Sequence, residues 1–324
     1  VGRFGMLAGL WLMLALLAAG GGVRAAEWSP LLEPGTLAEL LDQDPEIRVV
    51  RVSGPHDAGH IPGSVATEYA DWRGPPENPG ALPALSELEA EVRRLGIERD
   101  TPVVLVSEGA GPDDKGTATR IYWTLKSLGI EQLAVLNGGF RGWQGAGLPV
   151  ETGSVSIAPS TFDAALSDSW RITTAELEAR IADGDAPARI DARPREFFEG
   201  RTWSAARPGT IAGAESLSHA DWFDEDGRID VARVPEILER AGIGDAQEIV
   251  SFCNTGHWAS INWFVLSEVA ELDGTRLYAE SRAEWAAAGR PLDNAPSRLG
   301  YYWMVTRDWL GGIADALGGP RSQG

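Results

Sequence analysis

Residues 248 to 259 read Glu-Ile-Val-Ser-Phe-Cys-Asn-Thr-Gly-His-Trp-Ala and contain the only cysteine of the 324-residue chain, Cys253. The first five residues are typical of a buried strand, and a helix is expected to start near Ala259. Between them, Gly256 allows a tight loop whose backbone N–H groups turn toward the sulfur. These groups and the positive end of the helix favour the thiolate. We therefore predict a reactive thiol, against the alternative of an inert buried cysteine.

The composition indicates an acidic globular protein that is exported. A length of 324 residues and 44% hydrophobic content fit about two domains of roughly 150 residues each. The apolar stretch from Met6 to Ala19, with Arg3 before it and Val23-Arg24-Ala25 after it, predicts a signal peptide at residues 1–26. Its removal takes away two arginines and changes the formal net charge from −19 to −21. We expect a periplasmic or secreted location.

Charge and cysteine content exclude several classes of function. The acidic charge argues against nucleic acid or an anionic membrane surface as a partner. One cysteine cannot form an internal disulfide, so stability must come from core packing. The four histidines are scattered along the chain and no second thiol is present, so no metal site is predicted.

The chain repeats one plan of strands and helices after the signal peptide. The first half is expected to contain a strand at 47–52, the segment 58–65, a helix near 86–95 and a strand at 103–106. The second half is expected to contain a strand at 188–191, the segment 208–214, a helix near 231–241 and a strand at 249–252. Alternating strands and helices predict an α/β fold, in which each half is a small parallel sheet with helices on both faces.

The repeat predicts the domain limits. We expect an N-terminal domain at 35–152, a linker at 153–169, a C-terminal domain at 170–296 and a C-terminal extension at 297–324. The extension is rich in aromatic residues and is expected to pack on the domain. The protein is expected to be a monomer.

The two halves differ where chemistry is expected. Alignment of the second strands places Glu108 opposite Cys253, and the loop from Glu108 to Gly116 is five residues longer than its partner. A carboxylate cannot accept a sulfur atom as a thiolate does. We therefore predict that the N-terminal half is a non-catalytic, structural domain.

These features resemble the tandem-domain rhodaneses, the thiosulfate and 3-mercaptopyruvate sulfurtransferases. The resemblance covers residues 35 to 295 and rests on several short motifs that recur in order. They are Asp191-Ala192-Arg193, Gly209-Thr210-Ile211-Ala212-Gly213-Ala214, the loop from Cys253 to Trp258, Glu284-Trp285, Gly59-His60-Ile61-Pro62-Gly63 and Asn137-Gly138-Gly139-Phe140.

The resemblance implies a sulfur relay. Cys253 would take the outer sulfur of thiosulfate or a related anionic donor as a persulfide and pass it to cyanide or a thiol, without a redox cofactor. Loop residues Asn254, Thr255 and Gly256 would surround the sulfur.

Four further residues are predicted to support donor binding. Arg193 is the candidate for contacting the anionic donor, with an ion pair to Asp191 as the alternative. His257 is expected to add positive charge or a hydrogen bond, or else to turn into solvent. Trp258 is expected to pack the loop, and Ser281 to lie near the persulfide.

Other functions remain open at this point. Asn254-Thr255 fits neither the thiosulfate-preferring nor the mercaptopyruvate-preferring relatives well, and Glu280 would disfavour anionic donors if it pointed inward. The alternatives are a 3-mercaptopyruvate sulfurtransferase, a non-enzymatic persulfide carrier and a structural tandem domain. A cysteine phosphatase is disfavoured because no arginine follows within the loop.

Overall fold

The computed structural model describes residues 26–244 and 246–297, together with 300, 302, 303 and 306. The predicted signal peptide and most of the predicted extension at 297–324 lie outside the described residues. Within the described part of the chain, no helix is long and apolar enough to cross a bilayer.

The first domain is built on a parallel sheet. Within residues 26–152 its strands are β1 (Leu31–Leu32), β2 (Arg48–Arg51), β3 (Val65–Ala66), β4 (Val103–Val106) and β5 (Leu133–Leu136). They lie in the order β1-β5-β4-β2-β3. The helices of this domain are α1 (Pro34–Gln43), α2 (Leu85–Arg94), α3 (Pro112–Ser127) and α4 (Gly139–Gly145).

Both faces of this sheet are apolar, which is why its strands are continuous hydrophobic runs. Successive side chains of a strand point to opposite faces. Val103 and Leu105 of β4 pack in the core that includes α2 and α3. Val104 and Val106 pack in a second core with α1 and α4. The predicted arrangement, with helices on both faces, is confirmed.

The second domain repeats the plan of strands and helices. Within residues 170–297 its strands are β6 (Ala188–Asp191), β7 (Thr210–Ile211), β8 (Ala214–Ser216), β9 (Ile249–Phe252), β10 (Thr275–Leu277) and β11 (Leu292–Asp293). The main sheet is parallel, in the order β10-β9-β6-β8, and β11 pairs antiparallel with β7. The helices are α5 (Thr174–Ala182), α6 (Arg195–Phe198), α7 (Val234–Ala241), α8 (His257–Phe264) and α9 (Ser281–Ala287).

The segment between the two sheets contains no helix or strand at residues 153–169. It is mostly exposed but anchors Phe162, which is 2% exposed and whose carbonyl accepts a hydrogen bond from Arg93 at 2.7 Å. The domain limits at 152 and 170 stay predictions.

The two domains meet through α3 and α8. Ile121 of α3 and Ile261 of α8 belong to one continuous apolar core that spans both domains. Close approach is possible because Gly116 has no side chain: a Cβ there would lie 2.6 Å from Nε2 of His257. At the same interface the hydroxyls of Thr119 and Ser260 lie 2.8 Å apart.

The structure corrects two expectations about this region. The helix after the cysteine begins at His257, two residues earlier than expected, since Gly256 already takes φ +75° as its N-cap. The alignment that placed Glu108 opposite Cys253 is wrong by one residue. Val106 pairs with Arg51 as Phe252 pairs with Asp191.

Ser107 is therefore the counterpart of Cys253. Its carbonyl accepts from Phe140 at the start of α4, as the Cys253 carbonyl accepts from Arg282 at the start of α9. The first-domain loop was expected to be five residues longer than the loop after Cys253. It is one residue longer, and the other extra residues form the N-terminal part of α3.

The buried carboxylate of Glu268, in the second domain, forms hydrogen bonds with two residues of the first domain. Its side chain is 6% exposed and accepts from Tyr122 at 2.7 Å and from Lys126 at 2.9 Å, both on α3. We expect Glu268→Ala to lower the free energy of unfolding by about 1–3 kcal/mol, because it leaves a buried hydroxyl and a partly buried cation without their acceptor.

Urea denaturation followed by tryptophan fluorescence measures this change. Glu239→Ala, on the exposed side of α7, is the matched control and should change the free energy of unfolding by less than about 0.5 kcal/mol. Equal effects of the two substitutions would contradict the role assigned to Glu268.

Candidate active site

Cys253 lies directly after β9, in the loop that leads into α8. The loop is tight because Gly256 adopts a left-handed conformation, and a Cβ on it would collide with the carbonyl oxygen of Ala279 and with Arg120. The cysteine is 1% exposed, yet it lines an open cavity. A small molecule in that cavity would lie beside Cys253.

The loop presents uncommitted hydrogen-bond donors around the cysteine. Within the described chain, the backbone N–H groups of residues 254 to 258 donate to no carbonyl and no side chain. The N–H of Cys253 itself donates to Oγ of Ser281 at 3.1 Å, and that hydroxyl donates to the Tyr278 carbonyl at 2.7 Å. Free amides at a strand end form a cradle for negative charge.

The corresponding loop of the first domain has no such free donors at its centre. The N–H groups of Gly109 and Ala110 donate to one carboxylate oxygen of Asp114, at 2.6 and 3.2 Å. The Glu108 N–H donates to Ser53 at 2.8 Å, while its carboxylate pairs with Arg51. In the first domain, the Asp114 carboxylate therefore accepts from the loop amides whose counterparts in the second domain are free.

The cavity beside Cys253 has a volume of about 510 Å³ and is formed by both domains. The second domain contributes Ser204, Cys253, Asn254, Thr255, His257 and Trp258, and the first domain contributes Tyr69, Arg73 and Asp113. The first domain is therefore more than a structural support, because it forms one wall of the site.

A chain of hydrogen bonds from the first domain reaches the loop after Cys253. Arg73 donates to the Tyr69 hydroxyl and to the Thr255 carbonyl, each at 2.7 Å. Nε2 of His257 lies 2.8 Å from the Asp113 carbonyl, which only accepts, so this nitrogen carries the proton. Tyr69 then donates to Nδ1 of His257 at 2.7 Å.

His257 is neutral, which corrects the expectation of a cation at this position. The pKa of His257 is lowered to about 4, mainly by burial and in part by the nearby charge of Arg73. Its ring lies between the domains at the edge of the cavity, where it contacts Tyr69 and Asp113. The positive charge at the cavity wall is that of Arg73.

A second cation lies under the loop. Arg120 of α3 is fully buried, and its Nε and Nη1 have no hydrogen-bond partner among the described residues. Burial lowers the pKa of Arg120 to about 10, and a negative charge on Cys253 favours its charged form. Arg120 thus places a buried positive charge close to Cys253.

Arg193 takes the alternative arrangement, paired with Asp191. The guanidinium is fully buried, and its Nε and Nη2 donate to Asp191 at 2.8 and 2.5 Å. Its Nη1 lies 3.3 Å from Oδ1 of Asn254. With no exposed surface, Arg193 does not meet a donor directly in this structure, and it orients Asn254 instead.

Trp258 packs the loop as expected and also lines the cavity. Its ring stacks on His219 with centroids 4.8 Å apart, and its Nε1 donates to Asp113 at 2.6 Å. Glu280 does not line the cavity, because its carboxylate pairs with Arg171. The concern that Glu280 repels anionic donors is therefore removed.

Sequence reasoning missed Tyr69, Arg73, Asp113 and Arg120, which all belong to the first domain. One signal was present: Tyr69-Ala-Asp-Trp72 and His219-Ala-Asp-Trp222 are matching segments of the repeat, and both form short 3₁₀ helices. Tyr69 contacts the start of α8, and His219 lies beside Asp113 at the start of α3.

Comparison with known proteins identifies the family. The rhodanese-like domain family matches residues 33–146. A Pseudomonas aeruginosa protein named a probable 3-mercaptopyruvate sulfurtransferase is 30% identical over 243 residues, covering 71% of this chain and 82% of that protein. The thiosulfate sulfurtransferase of the same organism is 28% identical over 260 residues, covering 79% of this chain and 93% of its own.

The fold agrees with a solved structure. SseA from Escherichia coli, described with the rhodanese fold, has a TM-score of 0.68 and 24% identity, covering 78% of this chain and 98% of SseA. The predicted resemblance is thereby confirmed. With sequence similarity to sulfurtransferases over most of its length and the same two-domain fold, the chain belongs to the rhodanese family of sulfurtransferases.

Proposed function

We propose that the protein moves a sulfane sulfur from thiosulfate, or from a related donor such as 3-mercaptopyruvate, to cyanide or a thiol through a persulfide on Cys253. The single observation that carries this proposal is the position of the thiol. Cys253 lines a cavity, and the adjacent loop offers N–H groups of residues 254 to 258 with no acceptor of their own.

The first half-reaction is a displacement at sulfur. The Cys253 thiolate attacks the outer sulfur of thiosulfate, the sulfur–sulfur bond of the donor breaks, and sulfite leaves with the bonding electron pair. One negative charge stays on the terminal sulfur of the persulfide. A cyanide or thiolate acceptor then attacks that terminal sulfur, and the Cys253 thiolate is regenerated.

Charge is retained on sulfur in every state, so the surroundings must stabilise an anion throughout. The free loop amides supply fixed dipoles, which need no rearrangement during the reaction. Arg73 at the wall and Arg120 under the loop supply positive charge from the first domain. The two domains thus form one site.

Two arginines hold the loop after Cys253 in position. Arg193 of the second domain forms a hydrogen bond with Asn254, and Arg73 of the first domain donates a hydrogen bond to the Thr255 carbonyl. His257 is neutral and holds Tyr69, so its role is to position Tyr69 and Arg73 and not to transfer protons.

An exported location is part of the proposal. It is supported by the apolar stretch from Met6 to Ala19 and the small-residue site that follows it. In an oxidising compartment, burial of Cys253 at 1% exposure protects the thiol from large oxidants.

The first prediction concerns the covalent intermediate. Incubation of the reduced protein with thiosulfate or 3-mercaptopyruvate should add one sulfur atom, about 32 Da, and cyanide should remove it. Intact-mass spectrometry measures both changes, and the faster donor identifies the preferred one. Cys253→Ser should gain nothing.

No adduct on a thiol shown to be reduced would contradict the proposed function. A loaded protein that releases sulfur only slowly to cyanide and small thiols would instead indicate a persulfide carrier.

The second prediction concerns the cation from the first domain. Arg73→Met should slow sulfur loading by about 10- to 100-fold, because it removes the charge and the hydrogen bond to the loop carbonyl. Stopped-flow loading with thiosulfate measures the rate. The matched control is Arg141→Met, an arginine of the same domain whose side chain is 61% exposed.

Tyr69→Phe separates charge from positioning, since it removes the hydroxyl between Arg73 and His257 while leaving the cation. It should slow loading less than Arg73→Met. A loading rate in Arg73→Met equal to that of Arg141→Met would show that the first domain does not act in the reaction.

The third prediction concerns pH and His257. Its pKa is about 4 in the folded protein and ordinarily 6.5, so the unfolded chain binds the proton first as the pH falls. The free energy of unfolding should therefore decrease between pH 7 and pH 5, by about 2 kcal/mol from this group. His257→Gln should remove that part of the decrease.

Urea denaturation at the two pH values measures the difference between wild type and variant. Glutamine can still donate to Asp113 and accept from Tyr69, so the variant should fold. Parallel pH profiles for the two proteins would mean that His257 is not held neutral.

A further inference from the structure

Asp113 brings a carboxylate into the same cavity as Cys253. It lies in the first turn of α3, its side chain is 78% exposed, and it lines the cavity together with the thiol. Its Oδ1 accepts from Nε1 of Trp258 at 2.6 Å, whereas its Oδ2 accepts no hydrogen bond from the described residues. One oxygen of this carboxylate is therefore free for a ligand.

Within the described part of the chain, no charged base pairs with this carboxylate. Nε2 of His219 lies 3.4 Å from its Oδ1, but Nδ1 of the same ring donates to the Ala192 carbonyl at 2.9 Å and carries the proton. Burial lowers the pKa of His219 below its ordinary value, so the ring is neutral at pH 7. Arg73, the cation of the cavity wall, donates to Tyr69 and Thr255 instead.

The carboxylate of Asp113 is exposed but held in place. The carbonyl of the same residue accepts from Nε2 of His257 at 2.8 Å, and its Oδ1 accepts from Trp258. Exposed ion pairs usually contribute little, partly because two mobile side chains must be ordered. At Asp113 the fold has already ordered one of the two partners, which favours binding of a cation.

The net charge of the cavity becomes negative once the sulfur is loaded. Arg73 and Asp113 contribute one positive and one negative charge to the lining, and His257 is neutral. The persulfide on Cys253 adds one negative charge. The protein around the cavity is also acidic, with a formal net charge of −19. After the donor has left, this field attracts a cation and disfavours an anion.

The cavity has room for an organic acceptor. Its volume of about 510 Å³ lies within the range of sites that hold small organic ligands. Trp258 lines it next to Asp113, and indole is the side chain that attracts cations most strongly. An indole and a carboxylate, joined by a hydrogen bond, therefore line the cavity together.

We propose that the sulfur acceptor is a small thiol that carries a positive charge, such as an aminothiol, and that Asp113 and Trp258 bind its cationic group. The transfer step rests on the proposed function, whereas the cation subsite does not. The acceptor thiolate attacks the terminal sulfur of the persulfide, and the sulfur–sulfur bond to Cys253 breaks. The Cys253 thiolate leaves with the electron pair, and the acceptor departs as a persulfide with its cationic group unchanged.

The first test measures the charge preference of the cavity without sulfur transfer. The reduced protein is treated with methanethiosulfonates that carry a 2-(trimethylammonium)ethyl, 2-hydroxyethyl or 2-sulfonatoethyl group. The Cys253 thiolate attacks the divalent sulfur, methanesulfinate leaves with the bonding pair, and intact-mass spectrometry follows the mixed disulfide. Each rate is divided by the rate of the same reagent with a free small thiol. The cationic reagent should then react about tenfold faster than the sulfonate.

Asp113→Asn removes the charge and keeps an oxygen that can accept from Trp258. It should lower the ratio of the cationic to the sulfonate rate by about three- to tenfold. Asp113→Glu keeps a carboxylate and should keep most of the ratio. A loss of packing alone would change all three rates together, so the ratio reports charge. Asp113→Ser gives the same comparison if Asp113→Asn does not fold.

The matched control is Asp100→Asn. Asp100 is an exposed carboxylate of the same domain that does not line the cavity, so this variant should keep the full ratio.

The second test measures sulfur transfer to thiols of different charge. The loaded protein is mixed with 2-aminoethanethiol, 2-mercaptoethanol or 3-mercaptopropionate, and quenched-flow mass spectrometry follows the loss of about 32 Da. The rates per thiolate should decrease in that order. Asp113→Asn should bring the cationic and anionic rates closer together.

Other outcomes overturn the inference. An unchanged ratio in Asp113→Asn, or an equal decrease in Asp100→Asn, would show that Asp113 does not form a cation subsite. Equal transfer to 2-aminoethanethiol and 3-mercaptopropionate would show that the acceptor is not selected by its charge. If the protein never loads sulfur but the ratio still falls in Asp113→Asn, the proposed function fails and the cation subsite stands.

Discussion

The packing of α3 against α8 is the constraint on which the rest of the structure depends. Gly116 allows the two helices to approach closely, and the apolar core then continues from one domain into the other. The same contact carries the extended N-terminus of α3, with Asp113, to the loop that follows Cys253. A site between two repeats exists only because this helix pair fixes their relative position.

Electrostatics explains why the second domain depends on the first. An anionic sulfur needs positive charge nearby, but the chain is strongly acidic and His257 is held neutral by burial. Arg73 and Arg120 come from the first domain, while Arg193 is occupied by Asp191. Without the first domain, the loop after β9 would keep its backbone amides but would lose the charges of Arg73 and Arg120.

The fold and the position of Cys253 between a strand and a helix were predictable from local sequence, whereas most of the cavity lining was not. The runs at 103–106 and 249–252 are almost entirely apolar, which indicates buried strands, and the alternation of strands with helices predicts that the sheets are parallel. Cys253 follows from the order of strand, glycine-containing loop and helix. Tyr69 and Arg73 lie more than 180 residues before His257 and Thr255, their partners, and no local pattern relates them. The charge of His257 depends on burial at the interface, and the partner of Arg193 depends on packing.

Asp114 marks a second difference between the two domains, besides the absence of a cysteine from the loop of the first. Its carboxylate receives the amides of Gly109 and Ala110, in the loop that corresponds to the one after Cys253. In the first domain, a side-chain carboxylate of the chain itself therefore fills the position that a separate anion would take in the second domain. In the second domain the backbone N–H groups of residues 254 to 258 have no such acceptor among the described residues, so an anion that enters from outside can bind where the first domain has its own carboxylate.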